Sequence, residues 1–197
     1  MSSRPLDFST SRQLERKLRS SVRGEVDFGP GGRALYSTDA SNYRQAPIGV
    51  VLPRDIDDVI ATVAAARDAE APILARGGGT SLAGQCCNAA VVLDFSRYLN
   101  HVVEIDPERR SARVEPGVIL DHLRNQAERF HLTFGPDPAT HNRCTLGGMI
   151  GNNSCGVHSV MAGMTDRNID ELDVLTYDGL RLRVGPTSPD ELERIIL

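Results

Sequence analysis

Three consecutive glycines, Gly77, Gly78 and Gly79, directly follow the strand-like run Pro72-Ile73-Leu74-Ala75, and this constrains the chain more than any other feature. Glycine allows positive φ and leaves no Cβ between backbone and ligand, so such a loop is suited to ligand approach rather than packing, with its N–H groups turned toward one anion. Phosphate is the expected guest. Two familiar phosphate signatures fail here. Gly79 and Gly84 have P-loop spacing, but Gln85 and Cys86 stand where Lys and Ser/Thr are needed. A dinucleotide fingerprint starting at Gly77 and Gly79 meets Leu82 at its third glycine, and Asn88 to Asp94 reads as another strand instead of a helix. A flexible hairpin loop is the alternative reading of this segment alone.

A second glycine-rich segment runs from Gly135 to Gly156 and includes Gly135-Pro136-Asp137-Pro138-Ala139-Thr140, Thr145-Leu146-Gly147-Gly148 and Gly151-Asn152-Asn153-Ser154-Cys155-Gly156. It mixes small residues, amides and hydroxyls, and is expected to fill little of a core. It would instead offer backbone and amide donors to a flat polar ligand. Two such segments imply a long ligand.

Together the two segments resemble the flavin-binding domain of the vanillyl alcohol oxidase and p-cresol methylhydroxylase superfamily. The branch they resemble contains D-lactate dehydrogenase, the glycolate oxidase flavin subunit and D-2-hydroxyglutarate dehydrogenase. The wording of the second segment is most similar to bacterial proteins that fuse this domain to an iron–sulfur domain. The resemblance covers roughly Gln45 to Val184. It implies an α+β fold of two α/β lobes with FAD between them, residues 1–44 forming an N-terminal helix and lead-in, and 45–197 the FAD-binding unit.

The same resemblance implies roles. Arg76, Gly77, Gly78, Gly79, Thr80 and Ser81 would surround the pyrophosphate, and Leu82, Gly84 and Gln85 would complete the turn. Pro136, Asp137, Pro138 and Thr140 would lie near the flavin, with Thr145, Leu146, Gly147 and Gly148 near the phosphates and ribityl chain. Gly151, Asn152, Asn153, Ser154 and Gly156 would continue this wall, and Ile169 would serve the adenine half. Relatives that bind FAD covalently in the first loop use a histidine there. None is present, so dissociable FAD is expected. The implied reaction is hydride transfer from a D-2-hydroxy acid. The alternatives are an oxidase of another alcohol or sugar on this scaffold and a non-catalytic nucleotide-binding module. Most catalytic residues of the relatives fall outside this sequence; His141 and His158 border the flavin wall and no base is assigned.

Composition agrees with a folded domain. A net charge of -4 and an apolar fraction of 40% give material for a core and no basic field for nucleic acid. Arg12, Arg16, Lys17, Arg19 and Arg23 share a predicted helix with Leu14, Leu18 and Val22, which reads as a solvated helix face. No apolar run has transmembrane length, the start lacks a signal-peptide layout, and a cytoplasmic location is expected. Cys86, Cys87, Cys144 and Cys155 have no metal-site spacing, so no metal is expected here, and an iron–sulfur cluster only in a downstream domain.

Helical spacing of Ile56, Val59, Ile60, Val63 and Ala66 places a helix between strands Ile48–Leu52 and Pro72–Ala75, a βαβ unit. Strands are expected at Val91–Phe95, Val102–Ile105 and Ala112–Glu115, and a helix over Val118–Phe130. Asp178-Gly179 predicts a two-residue type I′ hairpin between Leu172–Tyr177 and Leu180–Val184. Ser188-Pro189-Asp190-Glu191 opens an amphipathic helix that meets the chain end at Leu197, so the chain is expected to be the N-terminal piece of a larger enzyme.

Overall fold

A computed structural model describes residues 7–196. The Asp7 carboxylate accepts the Thr10 N–H at 2.9 Å and starts helix α1 (Phe8–Ser21), which buries Leu14 and Leu18. There follow β1 (Glu25–Asp27), α2 (Pro30–Leu35), β2 (Gly49–Leu52), α3 (Ile56–Asp68), β3 (Ile73–Arg76) and β4 (Val91–Asp94). The four strands make one sheet in the order β1-β2-β4-β3. β2 and β3 each run parallel to β4, whereas β1 is antiparallel to β2.

The expected strand–helix–strand unit is present, yet its two strands are not neighbours, because β4 sits between them. Burial explains the order. Every residue of β2 and β4 is buried, as strands covered on both faces must be, and the half-buried β3 takes the edge. Val51, Val91 and Leu93 face α1 and α3 in one core with Leu18, Val59 and Val63. Val50, Leu52 and Val92 point to the opposite face, against Tyr36, Leu74 and Tyr98. A buried carboxylate ties this layer to the chain before residue 45: Asp58 on α3 accepts the N–H groups of Arg23, Gly24 and Arg54 at 2.8 to 2.9 Å.

A second core forms around the hairpin β5 (Val102–Asp106) and β6 (Ser111–Val114), with α4 (Leu120–Ala127) and α5 (Leu146–Asn152). Val118, Leu120, Leu123, Cys144, Leu146 and Met149 are buried there. The second glycine segment therefore does fill a core, contrary to its polar composition, because Leu146 and Met149 lie three residues apart on one helical face at 4% and 0% exposure. The end of the expected Val118–Phe130 helix tightens into a 3₁₀ turn at Glu128–Phe130, closed by His131 in the left-handed conformation.

The remaining elements are α6 (Ser159–Ala162), a 3₁₀ turn at Thr165–Asn168, the hairpin β7 (Leu172–Leu175) and β8 (Arg181–Val184), and α7 (Pro189–Ile196). The hairpin turn differs from the predicted type. Of Asp178 and Gly179 only Gly179 has positive φ, at 91°; its N–H donates to Thr176 O at 3.0 Å and the Thr176 N–H to Leu180 O at 2.9 Å. This is a three-residue loop with glycine in the bulge position rather than type I′, which needs positive φ at both central residues. The turn docks back on the first lobe through Tyr177 Oη to Ala71 O at 2.8 Å and Arg67 Nη1 to Asp178 O at 2.6 Å. Ser188 Oγ accepts the Glu191 N–H at 3.3 Å as the capping box predicts, and the chain end at Leu197 lies outside the described residues.

Candidate functional site

The first glycine loop leaves the edge strand β3 at its carboxyl end. Gly77 and Gly78 turn out to be packing residues. A Cβ on Gly77 would sit 1.9 Å from Thr145 Oγ1, and one on Gly78 would sit 2.2 Å from Arg143 O. The expectation that the run serves ligand approach and not packing is thus corrected: two of its glycines let the second segment lie directly against the first. Positive φ is confined to Gly79 at 65° and Gly84 at 78° in this stretch. Both glycine segments meet here.

Among the described residues, the backbone N–H groups of Gly77, Gly78, Gly79, Thr80, Ser81 and Leu82 donate to no protein acceptor. Backbone donors left open just past a parallel strand suit an anion, so the residues present fit a pyrophosphate group. Arg76 contributes differently from its charge. Its guanidinium donates to Cys86 O at 2.9 Å and Thr38 O at 2.8 Å and lies over the Tyr36 ring, which braces the loop base. Ser81 Oγ meets Cys86 Sγ at 3.1 Å, Gln85 Oε1 accepts the Ala83 N–H at 3.2 Å, and Leu82 is exposed.

Sequence reasoning missed the segment that lies across this loop. The Ala40 N–H donates to Gly79 O at 3.0 Å, Asp39 accepts the Cys86 N–H at 3.2 Å, and a Cβ on Gly84 would touch the Tyr43 ring. Burial pushes the Asp39 carboxyl up, but hydrogen bonds from Ser41 and Cys86 and the Arg76 charge outweigh it and hold it below the usual carboxylate range. Its one signal in the sequence is Asp39-x-Ser41, a local Asx turn with Ser41 N donating to Asp39 at 2.9 Å.

The second segment is less open than its composition suggests. Thr140 O accepts the N–H groups of Arg143 and Cys144, both at 2.8 Å, and the Gly147 N–H goes to Pro116 O at 2.8 Å. Thr145 caps α5 by accepting the Gly148 N–H at 3.3 Å. The Asn152 side chain accepts Ser154 Oγ at 2.6 Å, and Asn153, left-handed at φ 48°, accepts the Asp166 N–H at 2.9 Å. Most donors here serve the fold, so the array of free donors expected from 135–156 belongs instead to 77–82. Gly151 alone stands in open space on α5.

Two further clefts flank the segment, each of about 410 Å³. Gly135, Asp137, His158 and Arg124 line one; Ile150, Asn153, Ile169 and Leu172 line the other. Neither contains the first loop, and Ile169 lines the second beside Asn153. Pro136 is buried beside Asp137 and Pro138, whose carbonyl accepts the His141 N–H at 2.9 Å. His141 pairs with Asp121 at 2.8 Å, and His158 with Asp137. The backbone N–H of His158 is the chief cause holding the Asp137 carboxyl below its usual range. Burial pushes the Cys144 thiol up. Among the described residues no group of three His, Cys, Asp or Glu could hold a metal, and no helix is long and apolar enough to cross a membrane.

Comparison with known proteins agrees with this geometry. Residues 47–185 match the family model described as "FAD binding domain". The chain is 35% identical over 184 residues to the D-2-hydroxyglutarate dehydrogenase of Pseudomonas putida, covering 92% of this chain and 18% of that protein. It is 34% identical over 152 residues to the glycolate oxidase subunit GlcD of Escherichia coli K12, covering 76% of this chain and 30% of that one. The chain thus spans under a third of these curated relatives. An alkyldihydroxyacetonephosphate synthase structure superposes with TM-score 0.77 at 20% identity, over 99% of this chain and 41% of the other, and so shares the fold. With the matched residues containing both glycine segments and the contact between them, the chain belongs to the FAD binding domain family.

Proposed function

We propose that this chain is the flavin-holding part of a dehydrogenase that oxidises a D-2-hydroxy acid, with residues 45–197 as the cofactor-binding unit. The open N–H groups of Gly77 to Leu82, held against Arg143–Thr145 by glycines that leave no clearance, carry this reading. The pyrophosphate would rest on Gly77 to Ser81, with Arg76 fixing the loop base and the Pro136–Thr140 strap and α5 forming the wall beyond. Bound FAD would supply a hydride acceptor, while the protein's own groups orient the substrate and exclude water. The names of two relatives, a D-2-hydroxyglutarate dehydrogenase and a glycolate oxidase subunit, support the 2-hydroxy acid class. No histidine stands in Gly77–Gln85, so the cofactor is held without a covalent bond there, and we place the protein in the cytoplasm.

The test is direct. FAD titrated into the purified protein should lose fluorescence and take on the resolved two-band absorption of bound flavin, and denaturation should release it. Thr80→Asp puts a carboxylate among the open donors without crossing the Gly78–Arg143 contact and should abolish binding. Unchanged affinity in that variant refutes the placement.

A further inference from the structure

The strap at Gly135–Asp137 and the turn at Gly156–Ala162 are in backbone contact. A Cβ on Gly156 would lie 2.1 Å from Asp137 O, and one on Gly135 would lie 2.4 Å from the Ala162 Cβ. Across this contact both oxygens of one carboxylate are engaged by one residue. The His158 N–H donates to Asp137 Oδ1 at 2.9 Å, and its ring Nδ1 bonds Oδ2. Asp137 is an ionised acceptor, so Nδ1 carries the hydrogen, which fixes the tautomer and leaves Nε2 without a protein partner among the described residues. His158 itself is exposed, with 69% of its side chain accessible against 14% for Asp137. An exposed imidazole used this way acts on the half-buried carboxylate, and through it on the strap. The same strap is also bound by Arg124 of α4, which lines the same cleft as His158 and whose Nη2 donates to Phe134 O at 2.9 Å and Pro136 O at 3.2 Å. The strap is thus held by Arg124 at its carbonyls and by His158 at the Asp137 carboxylate, beside the close Gly156 contact.

We propose that His158 is a positioning residue for the flavin wall: through Asp137 it fixes the 135–140 strap against the 156–162 turn at the spacing the cofactor requires. The inference rests on the placement of FAD proposed above, and it adds to that placement a residue outside the Gly135–Gly156 segment. His158 takes no part in proton transfer in this reading.

The test uses the intact protein and its dissociation constant for FAD, read from flavin fluorescence. His158→Leu removes the ring donor and should weaken FAD about tenfold, the scale of one charge-assisted hydrogen bond. His158→Asn, whose amide donor can reach Asp137, should recover most of that loss. The near-isosteric Asp137→Asn guards against misfolding of the leucine variant and should weaken FAD to a similar extent, and His158→Leu combined with Asp137→Asn should be no worse than either alone. Wild-type affinity in His158→Leu, absence of rescue by asparagine, or multiplying losses in the double variant each overturn the proposal. Thr80→Asp separates the two readings. If it abolishes FAD binding while His158→Leu does not weaken it, the placement stands and the positioning role falls; if it leaves binding intact, both fall.

Discussion

At the residue scale, the glycines of the two segments do different work, and the difference is measurable. An added methyl at Gly78 would meet a backbone carbonyl 2.2 Å away, so the second segment has to move. Gly78→Ala should destabilise the protein by about 1–3 kcal/mol, the range for overpacking. Gly151 has nothing within 4 Å and no positive φ, so Gly151→Ala should stabilise α5 by roughly 0.5 kcal/mol through helix propensity. Urea unfolding of both variants checks the pair. FAD affinity adds a second reading: if the α5 wall touches cofactor, Gly151→Ala weakens FAD even as the fold gains stability. Asp58 gives a third case. It is 2% exposed and accepts three part-buried backbone N–H groups, all of which Asp58→Ala would leave without that partner. A loss of roughly 2–4 kcal/mol is expected, again from urea unfolding.

At the scale of elements, legibility follows how local the cause is. The cap of α7, the apolar stripe of α3 and the positions of the hairpins are set by residues within a few positions of one another, and the sequence displays them. The contact of Gly77 and Gly78 with Arg143 and Thr145 joins segments far apart in the chain, and glycine has no side chain to announce what it packs against. The Thr38–Tyr43 segment over the loop was nearly as hard to read: beyond the Asp39-x-Ser41 turn it acts largely through the Ala40 N–H and the Thr38 carbonyl, which every sequence possesses. The order of β2, β4 and β3 was half-written in their burial, since the two strands with the most continuous apolar runs took the centre. For the candidate site, the residues of the first loop were readable as an anion loop, whereas the second segment's apolar role was hidden by its glycines. The β7–β8 turn shows where a motif misleads. Asp-Gly marked the turn correctly, but docking on Ala71 and Arg67 selected a longer loop with Gly179 alone at positive φ. Gly179→Ala should therefore cost about 1–2 kcal/mol, the penalty of a left-handed alanine, and should increase amide hydrogen exchange across β7 and β8 before it affects the first sheet.

For the whole molecule, the first lobe and the Gly77–Leu82 loop share one hydrogen-bonded joint at the carboxyl ends of the parallel strands. Tyr36 Oη donates to Asp94 Oδ2 at 2.5 Å, its carbonyl and ring lie against the Arg76 guanidinium, and Arg76 begins the glycine loop. Burial, then the bond to Asp94, pushes the Tyr36 phenol well above its usual value. The sign of the linkage follows. A phenol whose folded value is raised contributes stability that is complete below about pH 10, its unfolded value, and is lost as pH rises through the folded value. In that window the unfolded chain releases a proton that the folded one retains. The urea midpoint should accordingly fall as pH rises above about 10, and fall less steeply in Tyr36→Phe, which has no proton to release. A phenolate ultraviolet titration of the same two proteins should show that the late-titrating group is missing from the variant. Once Tyr36 ionises, two negative oxygens face each other at the joint, and Arg76 is drawn from the Thr38 and Cys86 carbonyls that hold it in place. FAD dissociation should then accelerate over the same pH range in the wild type and lag in Tyr36→Phe, so that sheet stability and cofactor retention change together.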